Sequence, residues 1–318
     1  MKIVIPGGSG QVGTVLARAL TADGHEVVVL SRATRPQVAW RTVAWDGASA
    51  GPWEDEVDGS DVVVNLAGRS VNCRYGAANR RAILESRVAS TRAVGAAIAR
   101  ARRPPRVWLQ ASTATLYAHR YDAANDEATG RIGGDEPGAP STWAFSIDVA
   151  RAWERAFDEA ETPATRKVAL RSAMTMSPDP GGIFDTLLRL VRRGLGGRAG
   201  DGRQYVSWIH HEDFVGALRL LIERDDVSGA VNLASPHPLP NAEFMRILRE
   251  AAGVRIGLPA ARWMLEIGAV FMRTETELIL KSRRVVPGLL LQRGFEFRFP
   301  DWPSAARELV QAWRSDRG

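Results

Sequence analysis

The chain has 318 residues, of which 45% are hydrophobic and 25% charged, and these proportions are typical of a soluble globular protein. No apolar run reaches the roughly 18–20 residues of a membrane span, and the N-terminal apolar run is too short for a secretory signal. The net charge of +6 comes from arginines interleaved with Asp and Glu rather than from a dense basic run, so we expect no nucleic-acid partner.

Short apolar runs alternate with longer helical patterns along the chain. Strands are predicted at 2–6, 26–30, 42–45, 61–65, 106–111 and 167–171. Helices are predicted at 11–22, 77–101, 143–160, 183–193, 212–223, 241–252, 259–271 and 303–314. This alternation predicts an α/β fold, a Rossmann-type doubly wound parallel sheet with helices on both faces. The long polar loop at 118–141 is typical of a functional lid or of an insertion.

A glycine-rich turn follows the first predicted strand and opens the first helix. Gly8-x-Gly10-x-x-Gly13 and Gly7-x-x-Gly10-x-x-Gly13 both fit a dinucleotide fingerprint. The glycines allow a tight turn, close approach to a pyrophosphate, and packing of the helix on the strand. The helix N-terminus would face the phosphates with free amides. We predict that the cofactor is held by Gly7, Ser9, Gly10, Gln11, Val12 and Gly13.

The end of the second strand indicates which dinucleotide binds. An NAD site usually places an acid there, for the ribose hydroxyls. This strand ends in Ser31 and Arg32, with Arg35 just beyond. A hydroxyl and guanidinium groups suit a 2′-phosphate, so we predict NADP(H) rather than NAD(H). The alternative is that both arginines are ordinary exposed loop charges.

Several stretches of the chain resemble a known family. They are Asn65-Leu66-Ala67-Gly68, Ile83-x-x-Ser86-Arg87-Val88-x-x-Thr91, Trp153-Glu154, the run from Gly196 to Asp213, Arg283-Arg284-Val285-Val286-Pro287 and Gly294-Phe295-x-Phe297-x-Phe299-Pro300. With the glycine turn, they identify the chain as similar to the extended short-chain dehydrogenase/reductases of the NAD(P)-dependent epimerase/dehydratase superfamily. The branch is the one that ends in a DUF1731 domain and includes proteins of the 39U type.

This resemblance implies a two-part chain. We expect an NADP-binding Rossmann domain at 1–172 and 205–235 and a smaller, mostly helical substrate domain at 173–204 and 236–318, DUF1731-like at about 248–300. It adds further cofactor contacts, namely Leu66, Ala67, Gly68, Ala111, Ser112 and Arg171.

The catalytic residues of the superfamily are only half present. Such enzymes use a Ser or Thr after the fifth strand and a Tyr-x-x-x-Lys pair on the next helix. The resemblance places Thr113 at the catalytic hydroxyl, with Tyr117 as the nearest phenol. No tyrosine in the chain is followed four residues later by lysine, and Phe145 and Val149 take those positions.

Arg87 stands where extended members often place an active-site Asn. It can stabilise an oxyanion but cannot act as a general base. We therefore select Thr113, Tyr117 and Arg87 as catalytic candidates. For Thr113 the alternative is a structural hydroxyl, and for Arg87 it is a salt bridge with Glu85 or another acid.

Adjacent histidines point to opposite sides of a strand, so His210 and His211 predict a strand end before an acidic helix start rather than a metal site. Trp208 and His210 are candidates for the substrate side of the pocket. The glycine-rich loop 194–203 either closes over a ligand or connects elements. Phe295, Phe297 and Phe299 alternate as core residues of a strand do.

Two hypotheses for the function follow. The first is an NADP(H)-dependent oxidoreductase or epimerase that acts on a small polar substrate, anionic ones included. The second is a non-catalytic NADPH-binding redox sensor or scaffold, which the missing Tyr-x-x-x-Lys pair favours. We expect a monomer or homodimer, and the single cysteine, Cys73, favours a reducing compartment and hence the cytoplasm.

Overall fold

The computed structural model describes residues 1–33, 38–136, 139–140, 143–261 and 277–315, apart from the side chain of Leu278. Its strands are β1 (Lys2–Pro6), β2 (Glu26–Ser31), β3 (Arg41–Ala44), β4 (Val62–Asn65), β5 (Val107–Thr113), β6 (Arg166–Ser172), β7 (Met174–Met176), β8 (Tyr205–Val206), β9 (Trp208–His210), β10 (Gly229–Leu233) and β11 (Leu239–Pro240). Its helices are α1 (Gln11–Ala22), α2 (Glu54–Val57), α3 (Ala77–Arg100), α4 (Ala144–Asp158), α5 (Ile183–Arg192), α6 (His211–Glu223), α7 (Asn241–Ala252), α8 (Glu277–Leu280), α9 (Gly288–Gln292) and α10 (Trp302–Ser315), with a 3₁₀ turn at Ala114–Leu116.

Seven strands form one parallel sheet in the order β3-β2-β1-β4-β5-β6-β10. The chain winds outward from β1 in one direction and then continues from β4 in the other, so the order reverses between β1 and β4. The carboxyl ends of the strands at such a reversal form the usual ligand crevice of an open α/β sheet. The predicted doubly wound Rossmann fold is confirmed.

Both faces of the sheet are covered by helices, which explains why its central strands are apolar throughout. On one face α1 and α6 cover Ile3, Val64 and Leu109. On the other face α3 and α4 lie over a core that contains the edge-to-face pair of Trp108 and Phe157, 4.6 Å between ring centroids. Helices therefore pack on both faces of the sheet, and this packing fixes the edge at which the carboxyl ends of its strands lie.

A second hydrophobic core lies outside the sheet. It joins α5, α7 and α10, and its centre is the parallel stack of Phe244 on Trp302, with 4.0 Å between the ring centroids. Such a pair adds about 0.5–1.5 kcal/mol beyond the area that it buries. The predicted smaller, mostly helical C-terminal part is present.

The packing crosses the expected domain limits at two places. Val206 and Trp208, expected in the Rossmann part, belong to the second core, whereas Leu290 and Phe295, expected in the smaller part, pack on the core of the sheet. The division of the chain into two domains at residues 172, 205 and 236 stays a prediction.

Several local predictions differ from the structure. Strand β5 runs two residues beyond the predicted end because Thr113 still pairs with Ser172 of β6. The five-residue β10 was not predicted, and the phenylalanines at 295, 297 and 299 are half-buried without forming a strand. Most of the helix expected at 259–271 lies outside the described residues. No described helix is long and apolar enough to cross a membrane.

Candidate cofactor and active site

Three of the four glycines in the turn after β1, Gly7, Gly10 and Gly13, differ in the space around them. Gly7 has a φ of +76°, and a Cβ there would lie 2.5 Å from the Cα atom of Ala67. A Cβ on Gly13 would lie 2.4 Å from the Cα atom of Gly8. A Cβ on Gly10 would have nothing of the protein nearer than the carbonyl oxygen of Gly7, at 3.9 Å. The fold itself demands Gly7 and Gly13, while at Gly10 it leaves open space.

The open space at Gly10 faces the start of α1. The first backbone amide that bonds within this helix is that of Thr14, which donates to the Gly10 carbonyl over 2.8 Å. No side chain caps the helix, and its first turn carries no acidic residue. Free amides and the positive end of the helix dipole are what a pyrophosphate needs. The geometry at Gly10, Gln11 and Val12 therefore fits a dinucleotide.

The end of β2 closes one side of this space. The Ser31 hydroxyl is buried and donates to the Ser9 hydroxyl over 2.9 Å, which ties β2 to the glycine turn. Arg32 is exposed, and it makes no hydrogen bond or ion pair within the described part of the chain. Arg35 lies outside the described residues. Two hydroxyls and one exposed guanidinium thus lie at the end of β2, and groups of this kind are able to bind a phosphate.

The turn after β4 closes the other side. Asn65 is fully buried, accepts from the Ala67 amide over 3.1 Å and donates to Gln110 over 2.9 Å. Helix α3 holds the next residues, because the Ser90 hydroxyl donates to the Ala67 carbonyl and the Ser86 hydroxyl accepts from the Arg69 amide. The turn that includes Leu66, Ala67 and Gly68 is therefore rigid and lies against Gly7.

Arg87 also helps to hold this turn in place, and it does so through hydrogen bonds to carbonyl groups rather than through a salt bridge. Its Nη1 donates to the carbonyls of Arg69 and Ile83, at 3.0 and 3.1 Å, and its guanidinium lies 5.0 Å from the ring of Trp153. Among the described residues no carboxylate pairs with it. Burial lowers the pKa of Arg87 to about 10, against the opposing influence of Tyr75 and Cys73. The guanidinium remains charged at neutral pH in a poorly hydrated place.

Ser112, Arg171 and Tyr117 form one buried network with Glu154 of α4. Glu154 accepts from the Ser112 hydroxyl at 2.6 Å and from Arg171 through two bonds, at 2.8 and 2.9 Å. Arg171 also donates to the Tyr117 hydroxyl at 3.0 Å, and that hydroxyl donates to Asn232 at 2.9 Å. The network joins the carboxyl ends of β5, β6 and β10 to α4.

This network includes three of the expected site residues, whose roles stay predictions. Tyr117 is only 2% exposed, and burial raises the pKa of its phenol, so the hydroxyl is a poor candidate for contact with a substrate. Burial disfavours the charge of Arg171, but the bonds and charge of Glu154 outweigh it and raise the arginine pKa. Ser112 and Arg171 are thus committed to Glu154 rather than directed at the glycine turn.

The remaining hydroxyl at the end of β5 is that of Thr113. It is half-buried, and its oxygen accepts from the Thr115 amide at 3.1 Å, which starts the 3₁₀ turn. Because that bond uses only a lone pair of the hydroxyl oxygen, the hydroxyl proton of Thr113 can be donated to another group. Ala111, half-buried two residues earlier, pairs with Leu170 of β6.

A group of buried charges from the C-terminal region meets this same strand end. Lys281 is 2% exposed and donates to the Thr115 carbonyl at 2.9 Å, and Arg283 donates to the Thr115 hydroxyl at 3.2 Å. Glu277 lies 3.9 Å from the Lys281 amine and accepts from Ser146 of α4 at 2.6 Å. Burial lowers the pKa of Lys281 to about 8.

Two neighbouring cavities lie between the loop after β5 and the C-terminal region. One, of about 270 Å³, is lined by His119, Tyr121, Ala139, Pro140, Trp143, Gly200, Asp201, Gln204 and Leu280. The other, of about 50 Å³, shares Ala139, Pro140 and Trp143 and reaches Lys281. The loops at 118–141 and 194–203 thus both line the candidate substrate cavity.

A larger hollow, of about 570 Å³, lies along the outer side of α4. Its lining includes the Glu154–Arg171 pair and further charges of both signs, but no residue of the glycine turn and not Thr113. The two smaller cavities also lack these residues. They reach the strand end through Lys281, which bonds Thr115, whereas the hollow reaches it through Arg171, which pairs with Ser112 of β5.

The two histidines do not point apart as predicted. His211 is the first residue of α6, so its ring lies 4.5 Å from that of His210, and Glu308 completes a group with atoms within 4.8 Å. However, His210 accepts from the Glu212 amide with one nitrogen and meets Glu308 with the other, at 2.8 Å. An ion would have to break these bonds, which stabilise the start of α6. His210 and Trp208 are both fully buried.

Sequence reasoning missed Lys281 and Arg283. Each lies in a stretch that carries no catalytic motif, and each bonds Thr115, just past the end of β5, from a segment remote in sequence. The lysine offered one signal, since it is one of only three in a chain rich in arginine.

The sheet, the glycine turn at its reversal point and the free helix start define a dinucleotide-binding α/β protein. More narrowly, the chain belongs to the NAD dependent epimerase/dehydratase family, whose profile matches residues 3–234, and residues 260–309 match the domain of unknown function DUF1731. The resemblance seen in the sequence is confirmed.

Named relatives span the whole chain. The human epimerase family protein SDR39U1 is 31% identical over 98% of this chain and 100% of its own length, and YfhF of Bacillus subtilis is 29% identical over 98% of each. The crystal structure of human SDR39U1 with NADPH is similar with a TM-score of 0.84 and 31% identity, over 98% of this chain and 99% of that one. A nucleoside-diphosphate sugar epimerase of Corynebacterium glutamicum has a TM-score of 0.75 and 29% identity, over 98% of this chain and 58% of that one.

Proposed function

We propose that this protein binds NADP(H) in the glycine turn and uses it in an oxidoreductase or epimerase reaction on a small polar substrate. The open space at Gly10 carries this proposal, because the fold gives no reason of its own for a glycine at that position. The NADPH bound to human SDR39U1, a relative over the whole chain, supports it. When bound, the dinucleotide supplies or accepts a hydride.

Each side of the site has a role in this proposal. The amides of Gln11 and Val12 hold the pyrophosphate, and Ser9, Ser31 and Arg32 hold the 2′-phosphate. Thr113 donates its hydroxyl proton in a hydrogen bond to a substrate oxygen, and Arg87 favours negative charge that develops there. Tyr117, Ser112 and Arg171 act as positioning residues that fix the ends of β5 and β6.

The alternative is an NADPH-binding sensor or scaffold without turnover. One observation favours it: Tyr117, the phenol that the sequence places nearest to the expected catalytic hydroxyl, is buried and hydrogen-bonded to Asn232. Both functions require binding of NADPH, and they differ only in turnover.

The test is a titration of the purified protein with NADPH and with NADH, followed by nicotinamide fluorescence. Oxidation of NADPH is then measured against aldehydes, ketones, quinones and nucleotide sugars. We expect tighter binding of NADPH than of NADH, and turnover on at least one member. Binding without turnover on any member of the panel would favour the sensor, and absence of binding to either nucleotide would overturn both.

A further inference from the structure

The cavity of about 270 Å³ beside the C-terminal region has three rings in its wall. The ring of His119 meets those of Tyr121 and Trp143 edge-on, with 5.1 and 5.0 Å between centroids. Further apolar surface comes from Ala139, Pro140 and Leu280. None of the described residues in this wall belongs to the glycine turn or to β5, so the cavity is separate from the place proposed for the nucleotide.

Gln204 brings an unpaired acceptor to this wall. Its side chain is 2% exposed, and its Nε2 donates to the carbonyls of Ala199, at 2.9 Å, and Ile279, at 3.2 Å. Because both of these partners are acceptors, they fix which end of the amide is the oxygen. In the described part of the chain, no group donates to Oε1. A buried acceptor is thus left for a group that enters the cavity.

Two donors line the same cavity. Trp143 is 8% exposed, and no described residue accepts from its indole nitrogen, which can only donate. Nδ1 of His119 accepts from the Ser282 amide at 2.7 Å, so the proton of the neutral ring is on Nε2. This Nε2 also makes no hydrogen bond with any residue that the structure describes.

His119 is neutral at pH 7. Burial lowers its pKa below the usual value, and the charges of Lys281 and Arg283 lower it further. The carboxylates of Glu136 and Asp201 oppose this shift without reversing it. The Nε2–H group is therefore a fixed donor near neutral pH.

These three unpaired atoms are open to a ligand. The indole nitrogens of Trp108 and Trp208 also lack a partner, but they are sealed inside the protein. Oε1 of Gln204, Nε1 of Trp143 and Nε2 of His119 are not sealed in this way. Such atoms bond to water in the free protein, and a ligand that displaces this water must replace its hydrogen bonds.

The charge of the wall excludes one class of ligand. Among the described residues that line the cavity, only Asp201 is charged at neutral pH. Its carboxylate adds to the effect of burial in raising the pKa of Tyr121. Arg203 lies 5.8 Å from the Tyr121 ring but does not line the cavity, and Lys281 lines only the smaller neighbouring cavity. The wall therefore opposes a negative charge.

We propose that this cavity binds an uncharged ligand in which an amide group is joined to a planar ring. The carbonyl oxygen of the amide accepts from Trp143 and His119, and its N–H group donates to Gln204. The ring lies against the aromatic side chains. A carboxylate of the same shape lacks the N–H group and brings its charge to Asp201. The volume is near the lower end of the usual range for ligand pockets, about 300–1,000 Å³, which suits a single ring.

The probes for the test are para-fluorobenzamide and para-fluorobenzoate, which differ only in the amide and the carboxylate. Fluorine NMR measures the Kd of each for the wild type saturated with NADPH, whose own ring amide then occupies the nucleotide site. We expect the amide to bind at least about tenfold more tightly than the acid. Equal affinities, or no binding of the amide up to about 10 mM, would overturn the proposal.

Two variants locate the bound probe. W143F keeps a ring but removes one donor, so the affinity for the amide should fall about fivefold or more. D201N removes an exposed charge and keeps the oxygen that accepts from the Arg203 amide. It should raise the affinity for the acid about threefold and leave that for the amide within about twofold. W40F, the same substitution outside the cavity, should bind both probes as the wild type does.

Unchanged binding of both probes in W143F and D201N would also overturn the proposal, because the probe would then lie elsewhere. The titrations are repeated without nucleotide, where the same differences between variants are expected. If the wild type fails to bind NADPH, the proposed function is wrong, and the titrations without nucleotide still decide whether the cavity binds the amide.

Discussion

The glycine turn and the end of β5 lie side by side on one edge of the sheet, yet they are built in opposite ways. The turn consists of seven consecutive residues, Gly7 to Gly13, and leaves backbone amides free at the start of α1. The strand end collects side chains from four segments, represented by Thr113, Glu154, Arg171 and Arg283. A site that binds through backbone amides leaves a local motif in the sequence. A site that acts through side chains can draw them from any segment that the fold brings to the same place.

The two regions also differ in electrostatics. The turn has no acid in the first turn of its helix and offers an exposed Arg32. The strand end holds the buried cations Lys281 and Arg171, each with a carboxylate partner. Damage to the turn should therefore act on binding, and damage to the strand end should act on stability and turnover.

The largest expected effect separates binding from folding within the turn. G10V should weaken NADPH binding by about 100-fold or more, because its side chain fills the open space that the pyrophosphate would approach. The same protein without nucleotide should keep its free energy of unfolding within about 0.5 kcal/mol. Fluorescence titration and urea unfolding measure the two quantities.

G13V is the matched variant. Its Cβ would meet the backbone of Gly8, which cannot move aside, so unfolding should become easier by about 3 kcal/mol. If G10V and G13V destabilise the protein equally, the distinction between an open and a packed glycine is wrong.

The next effect concerns the network at the strand end. E154Q removes the charge that balances Arg171 in a place where both side chains are about 15% exposed, so it should cost about 2–3 kcal/mol in urea unfolding. E159Q, an exposed change directly after the same helix, should cost less than about 0.5 kcal/mol. A loss for E154Q no larger than for E159Q would show that the pair is not needed.

The buried amine of Lys281 predicts a dependence on pH. Its pKa is about 8 in the fold and about 10.4 when unfolded, so the unfolded chain binds more protons between these values. Stability should therefore rise with pH across this window, by roughly 1 kcal/mol for each pH unit.

Urea unfolding of the wild type and K281M at pH 8, 9 and 10 measures this contribution. The variant should lack it, while the other titrating groups, among them the neighbouring Glu277, Glu136 and Arg283, are common to both proteins. If the free energies of unfolding of the two proteins change with pH in parallel, the Lys281 amine is hydrated in the folded protein and the prediction is wrong.

The smallest effect concerns the choice of nucleotide. S31D with R32A places a carboxylate and removes a cation where a 2′-phosphate would lie, so the ratio of the Kd values should move toward NADH by about tenfold. R18A, an exposed arginine on the outer side of α1, is the control. An unchanged ratio of the two Kd values would mean that residues other than Ser31 and Arg32 bind the 2′-phosphate.

The sequence by itself determined the fold class and the family, and it predicted the place of the nucleotide. Helices α1 and α7 have the predicted bounds because their signals are local: Gly10 precedes the first, and Gly253, with a φ of +74°, ends the second. The glycine turn was equally predictable from the sequence, since each of its contacts comes from residues a few positions apart or from the adjoining strand.

Only the tertiary structure decided which side chains meet at the end of β5. Tyr117 was expected at a substrate and instead bonds Asn232, 115 positions away, while Lys281 reaches Thr115 across 166 positions. Periodicity in a sequence shows which face of an element is buried, because that depends on spacing along one helix or strand. It does not show which distant residue will lie opposite, because that depends on how the elements pack.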